Sequence, residues 1–280
     1  MLITVTAFAH HKGGTGKTTT CLQAAGFLVK SGRRVLVIDT DPQANATLGL
    51  GIHPDTPAHN IYHYYSSQSS PDAEPIPLAN LIIRTISNID LIPSHLDLVG
   101  AEPLLYQNPD RYEILARDIV SLKERYDHIL IDTPPFLGQF LLNGLIAADR
   151  TVIVFSPDSF ALNGYENIRM ILTDIEEILN KKIQIRMAVL NRWSLPVPEE
   201  SFVSKFSARF KRQTGKPEQA DEIKQILEEQ MKREVGTVIQ VPDSLQVGLS
   251  NRRGMPLAFS NPDDPAAKAF EQVAQTLDQG

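Results

Sequence analysis

A glycine-rich loop near the amino terminus constrains the fold of this chain more than any other feature. The loop KGGTGKT runs from Lys12 to Thr18 and follows an apolar run from Leu2 to Ala9. It leads directly into a segment with helical apolar periodicity. Glycines let backbone N–H groups surround phosphate oxygens, and the helix that follows presents its positive end to them. This order of strand, loop and helix predicts a binding site for a nucleoside triphosphate.

Within this loop, residue type assigns roles to individual side chains. Lys17 is placed to contact the β and γ phosphates, and the hydroxyl of Thr18 is placed to bind Mg²⁺. The usual pattern has glycine at position 11, where this chain has His11 followed by an additional lysine, Lys12. The nucleotide-binding residues predicted from the loop are Lys12, Gly13, Gly14, Thr15, Gly16, Lys17, Thr18 and Thr19.

Two further apolar segments end in acidic residues. The run 34–39 is typical of a parallel strand buried on both faces, and Asp39 and Asp41 follow at its end. The run 128–132 ends in Asp132, where an aspartate can hold Mg²⁺ directly or through water. Hydrolysis also needs a group that orients water. Spacing alone does not choose between Asp39 and Asp41 for that task.

The rest of the chain alternates between strand-like and helix-like patterns. This alternation predicts an α/β fold with a doubly wound, mainly parallel sheet and helices on both faces, the P-loop NTPase fold. We expect a helix over 111–126 and a surface excursion over 53–77, where no periodicity is sustained. The other predicted elements are strands at 89–93, 151–155, 183–191 and 237–241, a helix at 161–179 and an amphipathic stripe at 266–277.

Composition excludes several classes of protein. The chain has 27 basic and 33 acidic residues, a net charge of −6, so any nucleic-acid site must be a local patch. Cys21 is the single cysteine, which excludes an intramolecular disulfide and a multi-cysteine metal or cluster site within one subunit. No stretch approaches the roughly twenty apolar residues that span a bilayer. We therefore expect a soluble protein of the cytoplasm.

Three segments resemble the ParA/MinD superfamily of ATPases. KGGTGKTT resembles the superfamily's deviant Walker A box, VLVIDTDPQANATLGLG resembles switch I of ParA ATPases, and ILIDTPPFLGQFLLNGLIAAD resembles switch II. The resemblance implies that Lys12 reaches the nucleotide of a partner subunit in an ATP-sandwiched homodimer. It also implies that Asp41, the second aspartate of D-x-D-P-Q, positions the attacking water, and that Thr18, Asp41 and Asp132 surround Mg²⁺.

The resemblance extends to the base-binding end of the site and to most of the chain. Asn191 is expected to read the adenine, with Pro242 and Asp243 closing the other side. The likeness excludes about 53–86 and 196–233. We expect a single ParA-like domain over residues 1–280, with a variable helical insertion at about 196–235.

A basic segment stands out in this acidic chain. Residues 201–216 include no acidic side chain and, if helical, align Lys205, Arg209 and Arg212 on one stripe. A solvated helix face is the alternative interpretation. The resemblance favours non-specific DNA binding along such a stripe. The predicted DNA-binding residues are Lys205, Arg209, Lys211, Arg212, Lys216, Arg252 and Arg253.

The resemblance implies a function as well as a site. It implies an Mg²⁺-dependent ATPase whose ATP dimer binds nucleoid DNA and is released when a ParB-like or cargo-adaptor protein stimulates hydrolysis to ADP. The cargo would be a plasmid, a chromosome or a protein-bound organelle such as a microcompartment. The alternative is a MinD-like ATPase on a membrane, although 268–280 has one lysine, two acids and mostly alanine and glutamine, which predicts poor membrane affinity.

Two other functions on a P-loop scaffold fit the sequence less well. An iron–sulfur carrier or reductase requires paired cysteines, which Cys21 alone does not supply. A P-loop metabolic enzyme, such as a ligase or small-molecule kinase, would have no use for Lys12. Both are therefore disfavoured.

Overall fold

Eight strands form one sheet in the structure, a computed structural model that describes residues 3–10, 12–69, 73–156, 161–192 and 217–279. The order across the sheet is β3-β4-β2-β5-β1-β6-β7-β8. The strands are β1 (Thr4–Ala9), β2 (Val35–Asp39), β3 (Ile83–Arg84), β4 (Asp90–Ile92), β5 (His128–Asp132), β6 (Arg150–Phe155), β7 (Gln184–Leu190) and β8 (Val238–Gln240).

All neighbouring strands are parallel except β3 and β4 at one edge, which pair antiparallel. Strand β1 lies between β5 and β6. The register of β2 on β5 sets Asp39 opposite Asp132, so two acidic residues end adjacent strands at the same edge. The predicted doubly wound, mainly parallel sheet is confirmed.

Helices cover both faces of this sheet. Residues of β1 point alternately to the two faces, with Val5 and Ala7 in one apolar core and Phe8 in the other. The helices are α1 (Lys17–Lys30), α2 (Asn45–Gly49), α3 (Ile61–Ser69), α4 (Ala101–Leu105), α5 (Ile114–Ile119), α6 (Gln139–Ala147), α7 (Ala161–Leu179), α8 (Pro217–Glu234), α9 (Leu245–Arg252), α10 (Leu257–Ser260) and α11 (Pro265–Asp278). Of the expected insertion, residues 196–216 lie outside the described ranges.

The expectation of a surface excursion over 53–77 is wrong for the part that forms α3. Ile61, Tyr64 and Tyr65 are fully buried in the core. They follow the i, i+3, i+4 spacing of one helix face. The hydroxyl of Tyr64 donates to the backbone oxygen of Ile114 at 3.0 Å, which gives this buried polar group its partner. The short length of the helix and its polar tyrosines hid this periodicity.

The helix expected over 111–126 is shorter than predicted, because it begins at Ile114 and ends at Ile119 before one 3₁₀ turn. At its start, the side chain of Asn143 accepts from the N–H of Leu115 at 3.3 Å and donates to the oxygen of Arg111 at 2.6 Å. A side chain from another helix therefore bonds backbone groups there. Among the helices within the described ranges, none has both the length and the apolar character needed to cross a membrane.

Candidate nucleotide site

A cavity of about 820 Å³ opens at the carboxyl ends of the central strands. This edge is where ligands of open α/β sheets bind. Most of the predicted nucleotide-binding residues line it, but Lys12, Thr15 and Asp132 do not. The lining residues that the sequence analysis named are Gly13, Gly14, Gly16, Lys17, Thr18, Thr19, Asp41, Asn191, Pro242, Asp243 and Arg252.

The loop before α1 has the backbone of a phosphate cradle. Gly14 and Gly16 have φ angles of 75° and 96°, which only glycine adopts readily. A Cβ at Gly16 would lie 2.0 Å from the side-chain nitrogen of Asn191. No side chain of the described residues caps α1, so its first N–H groups are available to a ligand. The glycine pattern is therefore required by backbone geometry and by close packing.

Lys17 carries a cation into the floor of this cavity. Its side chain is buried, and its ammonium donates to the backbone oxygen of Lys12 at 3.2 Å. Burial lowers the pKa of Lys17, while the nearby carboxylates of Asp132 and Asp41 act in the opposite direction. A buried lysine facing two carboxylates supplies a fixed charge for anionic oxygens.

Thr18 and Asp132 form a pair of oxygen donors beside the lysine. The hydroxyl of Thr18 donates to Asp132 Oδ2 at 2.7 Å. The other carboxylate oxygen, Oδ1, is buried and has no hydrogen-bond partner among the described residues. Burial, reinforced by the neighbouring Asp39, raises the pKa of Asp132 well above its usual value. A divalent cation would relieve both the repulsion and the missing bond, so this site fits Mg²⁺.

The same donors are too few to hold a metal ion by themselves. Within the described ranges, no group of three or more His, Cys, Asp or Glu side chains is arranged for that purpose. Mg²⁺ usually takes one or two protein ligands and completes its shell with water and phosphate oxygens. The two donors therefore fit a metal that arrives with a nucleotide.

The structure separates the two aspartates that spacing left equivalent. Asp39 is fully buried and accepts from the N–H and hydroxyl of Thr47, at 2.8 and 2.7 Å, and from the N–H of Asp41 at 3.2 Å. Burial raises the pKa of Asp39 to about 7. Asp41 instead lines the cavity and accepts from the N–H of Gln43 at 2.9 Å. Asp39 stabilises the turn after β2 through these hydrogen bonds, whereas Asp41 faces the nucleotide cavity. The catalytic role of Asp41 stays a prediction.

Asn191 joins the far end of the cavity to the glycine-rich loop. Its side-chain nitrogen donates to the oxygen of Thr15 at 3.2 Å and to the hydroxyl of Thr20 at 3.3 Å. The predicted adenine contact therefore falls to its oxygen. Pro242 and Asp243 lie in the same wall. The base contacts of these three residues stay predictions.

Two contributors to the site were not predicted from the sequence. Arg192 lines the cavity and donates to the backbone oxygen of Gly14. Helix α9 forms a second wall, because Asn251 donates to the hydroxyl of Thr19 at 3.3 Å and Gln23 donates to the hydroxyl of Ser250 at 2.9 Å. These partners are more than 170 residues apart in the chain, so no local pattern indicates them.

The predicted DNA-binding residues are distributed differently. Arg252 lines the cavity, whereas its neighbour Arg253 does not. The predicted residues outside the described ranges are Lys205, Arg209, Lys211, Arg212 and Lys216. Lys12 is exposed beside the cavity, and its backbone N–H donates to the ring of His10 at 3.0 Å. Its predicted reach into a partner subunit stays a prediction.

Comparison with known proteins identifies a family, a sequence relative and structural neighbours of this chain. A family model described as an AAA domain matches residues 3–185. The chain is 35% identical to the sporulation initiation inhibitor protein Soj of Bacillus subtilis, over 66% of this chain and 71% of that protein. Solved structures with the same fold include a McdA–ATP complex from Cyanothece and MinD with Mg-ADP from Pyrococcus horikoshii.

The structural likeness extends over nearly the whole chain. For McdA the TM-score is 0.76 at 22% identity, over 98% of this chain and 96% of that one. For MinD the TM-score is 0.70 at 23% identity, over 99% of this chain and 97% of that one. At such identities the likeness establishes the fold, and the family model and Soj carry the sequence relationship.

Proposed function

We infer that this chain, which belongs to the ParA/MinD superfamily of P-loop ATPases, is an Mg²⁺-dependent ATPase that partitions or positions cargo. The observation that carries the proposal is that Lys17, Asp41 and Thr18 line one cavity, with Asp132 bonded to Thr18 behind its wall. Each provides a group that hydrolysis of ATP to ADP and phosphate requires. The related MinD and McdA structures contain Mg-ADP and ATP, which supports both ligands here.

The chain's own residues divide the work of hydrolysis. Lys17 and the N–H groups of the loop bind the phosphates and neutralise their charge. Thr18 and Asp132 would hold Mg²⁺, and the bound ion would supply positive charge that stabilises the negative charge of the phosphates. Asp41 orients the attacking water from the cavity wall, where its charge also acts on Asp132. Lys12 completes the site of a neighbouring subunit.

Exposed apolar side chains around the cavity mouth support an ATP-dependent homodimer. Each lines the cavity or lies within two residues of one that does, and Leu245 is 88% exposed. Large apolar side chains grouped on a surface indicate an interface. These side chains are Leu48, Phe136, Leu137, Leu245 and Leu249. A second copy seated over the nucleotide would cover them and bring its Lys12 to the phosphates.

The cellular role proposed here follows from the superfamily. The ATP dimer binds nucleoid DNA without base readout and carries or spaces cargo in the cytoplasm. A ParB-like or cargo-adaptor protein stimulates hydrolysis and releases it. The chromosome-partitioning ATPase Soj of Thermus thermophilus, which is 35% identical to this chain over 64% of it, supports a DNA-linked role. The cargo would be a plasmid, a chromosome or a protein-bound organelle such as a microcompartment.

The MinD-like membrane alternative has less support in the structure. Helix α11 buries Phe270, Val273 and Leu277 against the sheet. Its apolar face packs on the core, so it is not available to enter a lipid surface. Sedimentation with anionic liposomes and ATP would favour this alternative if the protein pelleted with the lipid.

DNA binding at fixed salt, measured without nucleotide, with ADP and with ATP, tests the proposal. We expect binding with ATP alone, and loss of that binding in Lys12→Ala, since this variant lacks the cation supplied to the partner subunit. Equal binding in all nucleotide states would contradict the proposed cycle. Retained ATP-dependent binding in Lys12→Ala would contradict the role of Lys12.

A further inference from the structure

A second cavity, of about 400 Å³, lies at the opposite edge of the sheet from the nucleotide site. Val35 at the amino end of β2 lines it, whereas Asp39 at the other end of the same strand lies beside the nucleotide cavity. A five-residue strand separates the two ends by about 13 Å. Four arginines line this second cavity, which we call the arginine cavity: Arg33, Arg34, Arg84 and Arg125.

Carboxylates outside the cavity wall hold two of these arginines in place. Arg33 contacts Asp278 through two nitrogens, at 2.7 and 2.8 Å. Arg34 contacts Asp127 at 3.0 Å, and this contact lowers the pKa of Asp127 to about 2. A guanidinium carries five N–H donors, so a bidentate carboxylate leaves others for a second anion. These ion pairs orient the guanidinium groups in advance of binding.

The other two arginines retain unused donors. Arg84 contacts Asp90 through Nε at 2.9 Å and donates from one terminal nitrogen to the oxygen of Asn88 at 2.9 Å. Its other terminal nitrogen forms no hydrogen bond within the described residues. Arg125 forms no ion pair with another described residue, and its guanidinium lies 5.9 Å from the centre of the Tyr126 ring. Two cations therefore face the cavity with donors to spare.

Little in the cavity wall opposes an anion. Asp90 is the one acidic residue among the lining residues the structure describes, and it already accepts from Arg84 and from the hydroxyl of Tyr126 at 2.8 Å. If these arginines belonged only to unrelated surface ion pairs, they would not be expected to line the same cavity. Here four guanidinium groups surround one concavity in a chain of net charge −6. Three carboxylates, Asp278, Asp127 and Asp90, pair with three of these arginines, so the local charge balance is one positive charge, opposite in sign to that of the whole protein.

We propose that the arginine cavity binds phosphate groups of a nucleic-acid backbone. This inference rests on the proposed function, to which it adds a DNA-contacting surface within the described residues. The planar fork of arginine matches phosphate oxygens, and it reads no base when it contacts only the backbone. Arg34 and Arg84 are more than half exposed, at 59% and 63%, as a rim that receives a polymer must be. A small-molecule site would be more enclosed and more apolar.

The test compares three variants with the wild-type protein in DNA binding with ATP. The double variant Arg84→Ala/Arg125→Ala removes the arginine that pairs with Asp90 and the arginine without an ion pair among the described residues, and Arg84→Lys/Arg125→Lys keeps their charge. The control is Arg117→Ala, an exposed arginine that pairs with Asp118 at 2.7 Å and lines neither cavity. Affinity for a duplex of arbitrary sequence is measured by fluorescence anisotropy at several salt concentrations. Thermal unfolding checks that each variant is folded.

We expect the double alanine variant to lose affinity about tenfold or more, and its log–log salt slope to fall by about two per subunit, one for each lost phosphate contact. The lysine variant should recover much of both, and Arg117→Ala should resemble the wild-type protein. Wild-type affinity and slope in the folded double alanine variant would overturn the inference. A loss of equal size in Arg117→Ala would also overturn it, because overall charge would then explain the effect.

These outcomes are distinct from a failure of the proposed function. A wild-type protein that does not bind DNA with ATP contradicts the proposed function itself. A wild-type protein that binds, while the folded double alanine variant binds equally well, contradicts the role of the arginine cavity alone.

Discussion

The two edges of the sheet hold their charges in opposite ways. At the carboxyl edge, Lys17, Asp39 and Asp132 are buried, and burial shifts the pKa of each toward its neutral form. At the amino edge, Arg34 and Asp127 remain partly exposed and form an ion pair. Buried charges in a cleft are destabilised unless a ligand compensates them, so they indicate a ligand site. Exposed ion pairs, in contrast, remain accessible to a large polyanion. We therefore assign ATP hydrolysis to the carboxyl edge and DNA binding to the amino edge.

The largest effect should come from the buried cation. We expect Lys17→Ala to lower ATPase activity by about 100-fold or more, since it removes a charge from the phosphate site. ATP binding, followed by isothermal calorimetry, should be lost as well. The control is Lys30→Ala, an exposed lysine at the far end of the same helix. Nearly unchanged turnover in folded Lys17→Ala would remove the distinction between the two edges.

The two aspartates after β2 should respond differently to the same substitution. Asp41→Asn should lower kcat by about 100-fold or more while ATP still binds, because it loses the group that orients water. Asp39→Asn should instead lower the free energy of unfolding by about 1–3 kcal/mol, since it disturbs the hydrogen bonds to Thr47. Turnover assays and urea denaturation separate the two effects. A stability loss in Asp41→Asn, with Asp39→Asn unaffected, would reverse the assignment.

A smaller effect is expected at the adjacent arginines at the end of α9, which differ in whether they line the nucleotide cavity. Arg252 lines the nucleotide cavity and Arg253 does not. We expect Arg252→Ala to weaken ATP binding by about tenfold, the size of a lost charge-assisted hydrogen bond, while Arg253→Ala leaves it unchanged. DNA binding at saturating ATP then shows whether either arginine also contacts DNA. Equal ATP affinity in both variants would exclude Arg252 from the nucleotide site.

The smallest effect should come from the exposed pair at the amino edge. Arg34 lowers the pKa of Asp127 to about 2, so the pair stabilises the fold above pH 4 and loses this contribution as the pH falls toward 2. Because Arg34 is 59% exposed, Asp127→Asn should cost no more than about 1 kcal/mol at neutral pH. Urea unfolding of the wild-type protein and Asp127→Asn between pH 2 and 7 measures the difference in their free energies of unfolding. If that difference grew toward low pH, the predicted pH dependence would be contradicted.

Asp39 should show the opposite pH dependence. Its pKa is raised to about 7, so its ionisation opposes folding, and that cost appears as the pH rises from about 4 through 7. Ionisation of Asp127 therefore stabilises the fold, whereas ionisation of Asp39 destabilises it.

Local sequence predicted the carboxyl edge well and the amino edge poorly. The glycine-rich loop and Asp132 belong to short motifs that adjoin their strands, so their place in the sheet follows from chain order. The arginine cavity depends on contacts such as Arg34 with Asp127 and Arg33 with Asp278, which are 93 and 245 residues apart. Helix α9 reaches the nucleotide site through similarly distant contacts. No periodicity or motif encodes such contacts, and they appear only when the sheet is assembled.

In the proposed cycle, ATP holds two subunits together through Lys12. Its most direct test is the molar mass in solution, by light scattering, of Asp41→Ala with ATP, with ADP and without nucleotide, and of the same protein carrying Lys12→Ala. We predict a dimer for Asp41→Ala with ATP and a monomer in every other case. A monomer of ATP-loaded Asp41→Ala, with bound ATP verified, would contradict the account.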